Sequence, residues 1–208
     1  MEMKTKNFFA FAVLLLTATM TLSSCNEDEP KTTKIYGKIT IENSDVWALF
    51  KDKGQVQVTV FPAFSLNPAA GWGEVPDNFF GPGVLGGTFA IGAPYNSQNP
   101  VILTYVPGQK EYEYEIELEA GTYSAVAVGF RKDDVTNQSC KTATLGVHHN
   151  KPETVSHGVV IKVNAGGTAI KVMDYPAPAT FSIKAEEQKE INFKADFAFV
   201  NIWYPACR

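Results

Sequence analysis

The stretch EYEYEIELEAGTYSAVAVGF, residues 111–130, decides the fold. Glu111, Glu113, Glu115, Glu117 and Glu119 alternate with Tyr112, Tyr114, Ile116 and Leu118. A period of two puts every carboxylate on one side of a strand and every large apolar group on the other. That is the pattern of an antiparallel strand with one wet face. Ala120-Gly121 supplies a turn signal, and Thr122 to Phe130 follows as a second apolar run. The two runs predict a β-hairpin.

The same period continues on both sides. KIYGKITIEN places Ile35, Gly37, Ile39 and Ile41 on one face. GQVQVTVFPAF places Val56, Val58 and Val60 on one face and Gln55, Gln57 and Thr59 on the other, with Pro62 ending or edging the strand. NPVILTYVPG, KTATLGVHH, GVVIKVNAG, TAIKVMDY and TFSIKA are further short runs separated by turn residues. The last, INFKADFAFVNIWYP, aligns Ile191, Phe193, Ala195, Phe197 and Phe199 on one strand face. Only residues 185–190, AEEQKE, have a helix-friendly composition. About nine to ten strands and almost no helix predict an all-β antiparallel sandwich, Ig-like in layout, or a barrel.

The first residues have another character. Lys4 and Lys6 precede an apolar run from Phe8 to Leu22. A bilayer-spanning helix needs about 20 apolar residues, and this run is shorter. Basic head, apolar run and small residues follow the order of a secretory signal. Leu22-Ser23-Ser24-Cys25 resembles the lipobox of bacterial lipoproteins. The resemblance implies cleavage before Cys25 and acylation of its thiol and new amine. Two acyl chains give stable anchoring where one does not. Asn26-Glu27-Asp28-Glu29 is similar to the acidic export signal that follows the lipid cysteine in Bacteroidota-type surface lipoproteins. The implied location is the outer membrane, exposed at the cell surface, with a periplasm-facing placement as the alternative.

The expected organisation is a leader over 1–24, an acidic tether over 25–34 and one domain over 35–208. Within the domain, residues 63–100 form a long insert rich in Gly, Pro and aromatic residues. Removing the leader takes away Glu2, Lys4 and Lys6 and leaves 21 acids against 16 bases. That balance argues against a nucleic-acid partner, which needs a basic stripe. Of three cysteines, Cys140 and Cys207 remain once Cys25 is lipidated. They can close a disulfide in an oxidising compartment or stay as two buried thiols, because sequence does not supply the Cα separation a bridge requires.

IYGKITI, VQVTVF and above all IELEAGTYSAVAVGF resemble the transthyretin-like, carboxypeptidase-regulatory-like β-sandwich. Gly121 and Tyr123 fall on that group's L-x-x-G-x-Y-x-V-x-V positions. The resemblance covers residues 35–130 and implies a non-catalytic accessory or binding module.

Catalytic and metal signatures are sparse. One straight strand cannot converge the six to eight oxygens calcium takes, so the glutamate row reads as a solvated face that resists aggregation. His148 and His149 are adjacent and His157 stands eight residues further on, with no zinc spacing; they read as turn or loop residues. Asp133-Asp134 near Asn137 reads as a loop. No G-x-S-x-G elbow, Walker loop or CxxC pair occurs, and no cofactor is expected. The insert carries Trp72, Phe79, Phe80 and Tyr95. A loop this long is functional or disordered as a rule, and disordered segments are poor in aromatics. These rings either pin the insert as a satellite core or form a platform for an apolar or sugar face. The functional expectation is a non-catalytic envelope lipoprotein that binds a glycan or another envelope protein. A fimbria-like assembly subunit is the alternative, and a hydrolase ranks third.

Overall fold

The computed structural model describes residues 32–62, 99–136, 138–158, 160–165 and 168–206. Trp72, Phe79, Phe80, Tyr95, Cys25 and Cys207 lie outside the described residues. Period-two runs become strands, and the protein is an all-β sandwich of two main sheets. The described residues form eleven strands.

In the first sheet, β1 (Lys34–Glu42) is the central strand. Its antiparallel partner is β4 (Glu111–Glu117), with Tyr36 opposite Glu115 and Lys38 opposite Glu113. Along its other edge run β10 (Gln188–Glu190) and then β11 (Phe193–Asp196), both parallel to β1. The sandwich is therefore not wholly antiparallel. In the second sheet, β2 (Gly54–Pro62) lies between β3 (Val101–Leu103) and β5 (Gly121–Lys132). The far edge of β5 is shared by β6 (Thr142–Val147) and β9 (Phe181–Ile183). A separate antiparallel pair is formed by β7 (Val160–Ala165) and β8 (Thr168–Asp174).

The two runs of residues 111–130 do not form a hairpin. β4 belongs to the first sheet and β5 to the second, and the chain crosses the sandwich at 118–120. The reason lies in the apolar faces. Tyr112, Tyr114, Ile116 and Leu118 pack in one core with Val126, Val128 and Phe130. Stacking the strands in opposite sheets turns those faces toward each other. Tyr123 secures the crossing: its hydroxyl donates to the Glu119 carbonyl at 2.8 Å and its ring stacks on Phe181. A tyrosine that bonds back to upstream backbone at a sheet-to-sheet crossing is the tyrosine corner of Greek-key sandwiches. In the G-x-Y signature the tyrosine thus carries the structural role. A Cβ on Gly121 would meet only Tyr123 Cε2, at 3.8 Å.

One further expectation changes. The run 191–205 is not one strand: β11 ends at Asp196, a 3₁₀ turn covers Phe197–Phe199, and helix α3 runs Val200–Ala206. Asp196 causes the switch, because its carboxylate accepts from Ala198 N at 2.8 Å and caps the turn. Ile191, Phe193, Ala195, Phe197 and Phe199 are nevertheless all buried. Residues 185–190, too few for their helix-friendly composition to matter, form a turn and β10. The helices lie at α1 (Ser44–Phe50), α2 (Gln138–Lys141) and α3. On the polar face of β2, Gln57 and Thr59 are buried. Among the described residues, Gln57 Oε1 and Thr59 Oγ1 have no hydrogen-bond partner, and a buried group left so costs about 1–3 kcal/mol.

Helix α1 closes one end of the core. Asn43 enters it in the left-handed region (φ 54°), and its side-chain amide donates to Asp196 Oδ1 at 2.7 Å. The helix drives Trp47 inward, where its ring stacks on Phe197 and meets Tyr105 and Tyr112. At the opposite end the chain enters β1 through Thr33. The Thr33 carbonyl accepts from Leu118 N at 2.9 Å and its hydroxyl from Glu186 N at 2.7 Å.

Candidate functional site

The outward face of the first sheet carries a shallow hollow of about 450 Å³. Alternation along β1 turns Lys34, Tyr36 and Lys38 outward while Ile35, Gly37 and Ile39 face the core. The register then places Tyr36 between Glu115 on β4 and Glu190 on β10. Glu113 and Lys38 complete the walls, and Gly37, through its backbone, and the buried Tyr114 contribute the floor. Tyr36 is 38% exposed, so its ring is open to an incoming group.

The floor is fixed by an interruption in the third row of the sheet. Between β10 and β11 the chain bends at Ile191-Asn192, and Asn192 Oδ1 takes the place of a backbone acceptor for Lys38 N at 2.7 Å. Ile191 N donates to Tyr36 O at 2.8 Å. The buried Tyr114 hydroxyl donates to Ile191 O at 2.7 Å, and burial raises the pKa of that hydroxyl. Gly37 is required here, since a Cβ would lie 2.1 Å from Ile191 O.

The walls mix both charges. Lys34 Nζ lies 2.8 Å from Glu115 Oε2 and Lys38 Nζ 3.7 Å from Glu113 Oε1, both pairs reaching solvent. Exposed pairs of this kind contribute about 0–1 kcal/mol and leave the carboxylates free to change partner. The hollow therefore offers one aromatic face, several acceptors and an ammonium donor, which suits reversible binding. Among the described residues no group of three or more His, Cys, Asp or Glu is placed to hold a metal ion.

The residues singled out from sequence lie elsewhere. Cys140 is buried and disulfide-bonded, and its carbonyl accepts from Trp203 Nε1 at 2.9 Å. Asp134 pairs with Lys132, whose hydrogen bond lowers the Asp134 pKa. The three histidines are in loops, but His149 and His157 are buried rather than at the surface. Tyr36 was not singled out from sequence. Its signal was present: it is the one aromatic residue among the outward positions Lys34, Tyr36, Lys38 and Thr40 of β1.

Fold and site together define an all-β sandwich with an open polar face. Compared with known proteins, the chain matches no family model, no curated protein and no solved structure. Among the described residues no helix is long and apolar enough to cross a membrane.

Proposed function

We propose that the protein is a non-catalytic binding module, held at the outer membrane by a lipid on Cys25 and displayed at the cell surface. The hollow around Tyr36 is the observation that carries the binding reading. A pyranose presents an apolar C–H face and a rim of hydroxyls. The ring of Tyr36 suits the first, and Glu113, Glu115 and Glu190 suit the second as acceptors. A carbohydrate is accordingly the ligand class favoured for this face. The lipobox at 22–25 supports the anchor. An extended stretch from Cys25 to Thr33 reaches at most about 30 Å, at ~3.3–3.6 Å per residue, so the domain would stay close to the membrane.

A glycan array probed with the soluble domain from residue 32 onward tests the reading. Binding that Tyr36→Ala abolishes at unchanged melting temperature supports it. Failure of the wild-type domain to bind any glycan, or equal binding by Tyr36→Ala, removes it. The second reading, a subunit that assembles by strand addition, draws on β4, which among the described residues pairs with β1 alone. Concentration-dependent polymers in light scattering would favour that reading.

A further inference from the structure

We propose that residues 148–158 form a pH-operated clasp, held against the sandwich by the neutral ring of His157 and released when that ring takes up a proton. The device begins in β6. Gly146 pairs with Val128 and Thr144 with Gly129, which leaves Leu145 as an extra residue, a β-bulge. A bulge takes backbone groups out of the ladder. His157 Nδ1 lies 2.8 Å from the Thr144 carbonyl at this point. A carbonyl only accepts, so Nδ1 donates and Nε2 is the bare nitrogen of the neutral ring.

A second proton would have to enter on Nε2, and the surroundings oppose it. The imidazole is 3% exposed. It stacks on Phe199 with centroids 3.8 Å apart and meets the edge of Tyr175 at 4.6 Å. The titratable groups facing it are Tyr175, before β9, and Asp196 on β11. The Asp196 carboxylate already accepts from Asn43 Nδ2 and Ala198 N. Burial outweighs its attraction and holds the His157 pKa down to about 4. His148, in the same segment, is lowered by burial first and then by His149 and by Lys189 on β10, while the Asn192 backbone opposes the shift.

The clasp has further bonds that depend on the segment staying in place. Val147 N donates to Ser156 O at 2.9 Å, and the His149 ring engages Thr154 O at 3.0 Å. The Ser156 hydroxyl donates to Pro176 O, and Val155 bridges to Lys194 of β11. Ala179 N donates to His148 O at 2.8 Å. Release of 148–158 therefore also frees 175–179 from its support.

The sign follows from linkage. Above the ordinary histidine pKa of 6.5, held and released forms bind the same number of protons at His157. Below it the released form gains a proton that the held form refuses. The held form loses ground as pH falls, by about tenfold per pH unit, until the folded pKa is reached. From 6.5 down to about 4 the total is roughly 300-fold, and below that the effect is flat.

Hydrogen exchange of the full domain between pH 7 and 4, corrected for intrinsic rates, tests this. Amides of 148–158 and 175–179 should lose protection by about two orders of magnitude and stay less protected than the β5 amides, which report global unfolding, at every pH. His157→Gln retains a donor for Thr144 O and cannot titrate, so its segment protection should keep only the smaller pH dependence that His148 supplies. PH-independent protection in the wild type, or the same pH dependence in His157→Gln, overturns the clasp. If His157→Gln does not fold, the wild-type His157 ring resonance decides. A ring that titrates near 4, where the loss of segment protection levels off, supports release, and one that titrates near 6.5 refutes it.

Discussion

Gly37→Ala is a sharp test of how the candidate site is built. The new Cβ would stand 2.1 Å from Ile191 O, 2.8 Å from Ile191 C and 2.9 Å from Asn192 Oδ1. Two of these are backbone atoms, so no side-chain rotation relieves the clash, and the bend between β10 and β11 must move. Three hydrogen bonds depend on that bend: Ile191 N to Tyr36 O, Lys38 N to Asn192 Oδ1 and Tyr114 OH to Ile191 O. A typical bond contributes about 0.5–1.5 kcal/mol, and a buried group left unpaired costs about 1–3. Tyr114 is 4% exposed, so its hydroxyl falls in the costlier class. The total is about 3 kcal/mol, which in a domain of this size lowers Tm by about 6–12 °C. Thermal unfolding by circular dichroism measures it, with Gly121→Ala as the control, because the nearest atom to that Cβ is 3.8 Å away. A Gly37→Ala domain melting within about 2 °C of wild type would refute the steric argument.

The other predictions concern the corner, the anchor and the disulfide. Tyr123→Phe keeps the ring on Phe181 but removes the bond to Glu119 O; a loss of about 1–2 kcal/mol should appear as a Tm lower by several degrees, and an unchanged Tm would deny the corner its role. Cys25→Ala should release the protein from the membrane fraction or leave an unprocessed precursor, and fractionation with the outer membrane as before would end the lipid assignment. Non-reducing peptide mapping should join Cys140 to Cys207, the cysteine next to α3, whose Trp203 and Tyr204 bond the carbonyls of Cys140 and Lys141. Opening that loop by Cys207→Ser should cost about 4 kcal/mol by the chain-entropy estimate, and a Cys140 peptide that runs free without reductant contradicts the pairing.

Tyr36 shows why the fold was easier to read than the site. Its outward direction follows from counting along KIYGKITIEN, since side-chain direction alternates within one strand. Its neighbours do not follow from counting. Glu115 and Glu190 are 79 and 154 residues away in sequence and reach Tyr36 only through the register of β4 and β10 against β1. His157 behaves the same way. Its sequence surroundings suggested a loop, but its burial depends on Phe199 and Tyr175 arriving from other parts of the chain.

What the sequence determined by itself is therefore local: strand period and inward faces. Ile35, Gly37, Ile39 and Ile41 are all buried, as their spacing requires. Tertiary structure alone decided strand partners, because an apolar face set by a period of two fits any other such face equally well. In residues 111–130 the alternation was legible, yet it could not distinguish a hairpin from a crossing between sheets. Tyr123 and the shared core of β4 and β5 made that choice. At Asp196 a capping bond starts a 3₁₀ turn, and the nine remaining residues of the run read as a strand continue into a helix instead. Burial on both faces of β2 was decided in the same way, by what packs against it rather than by its own residues.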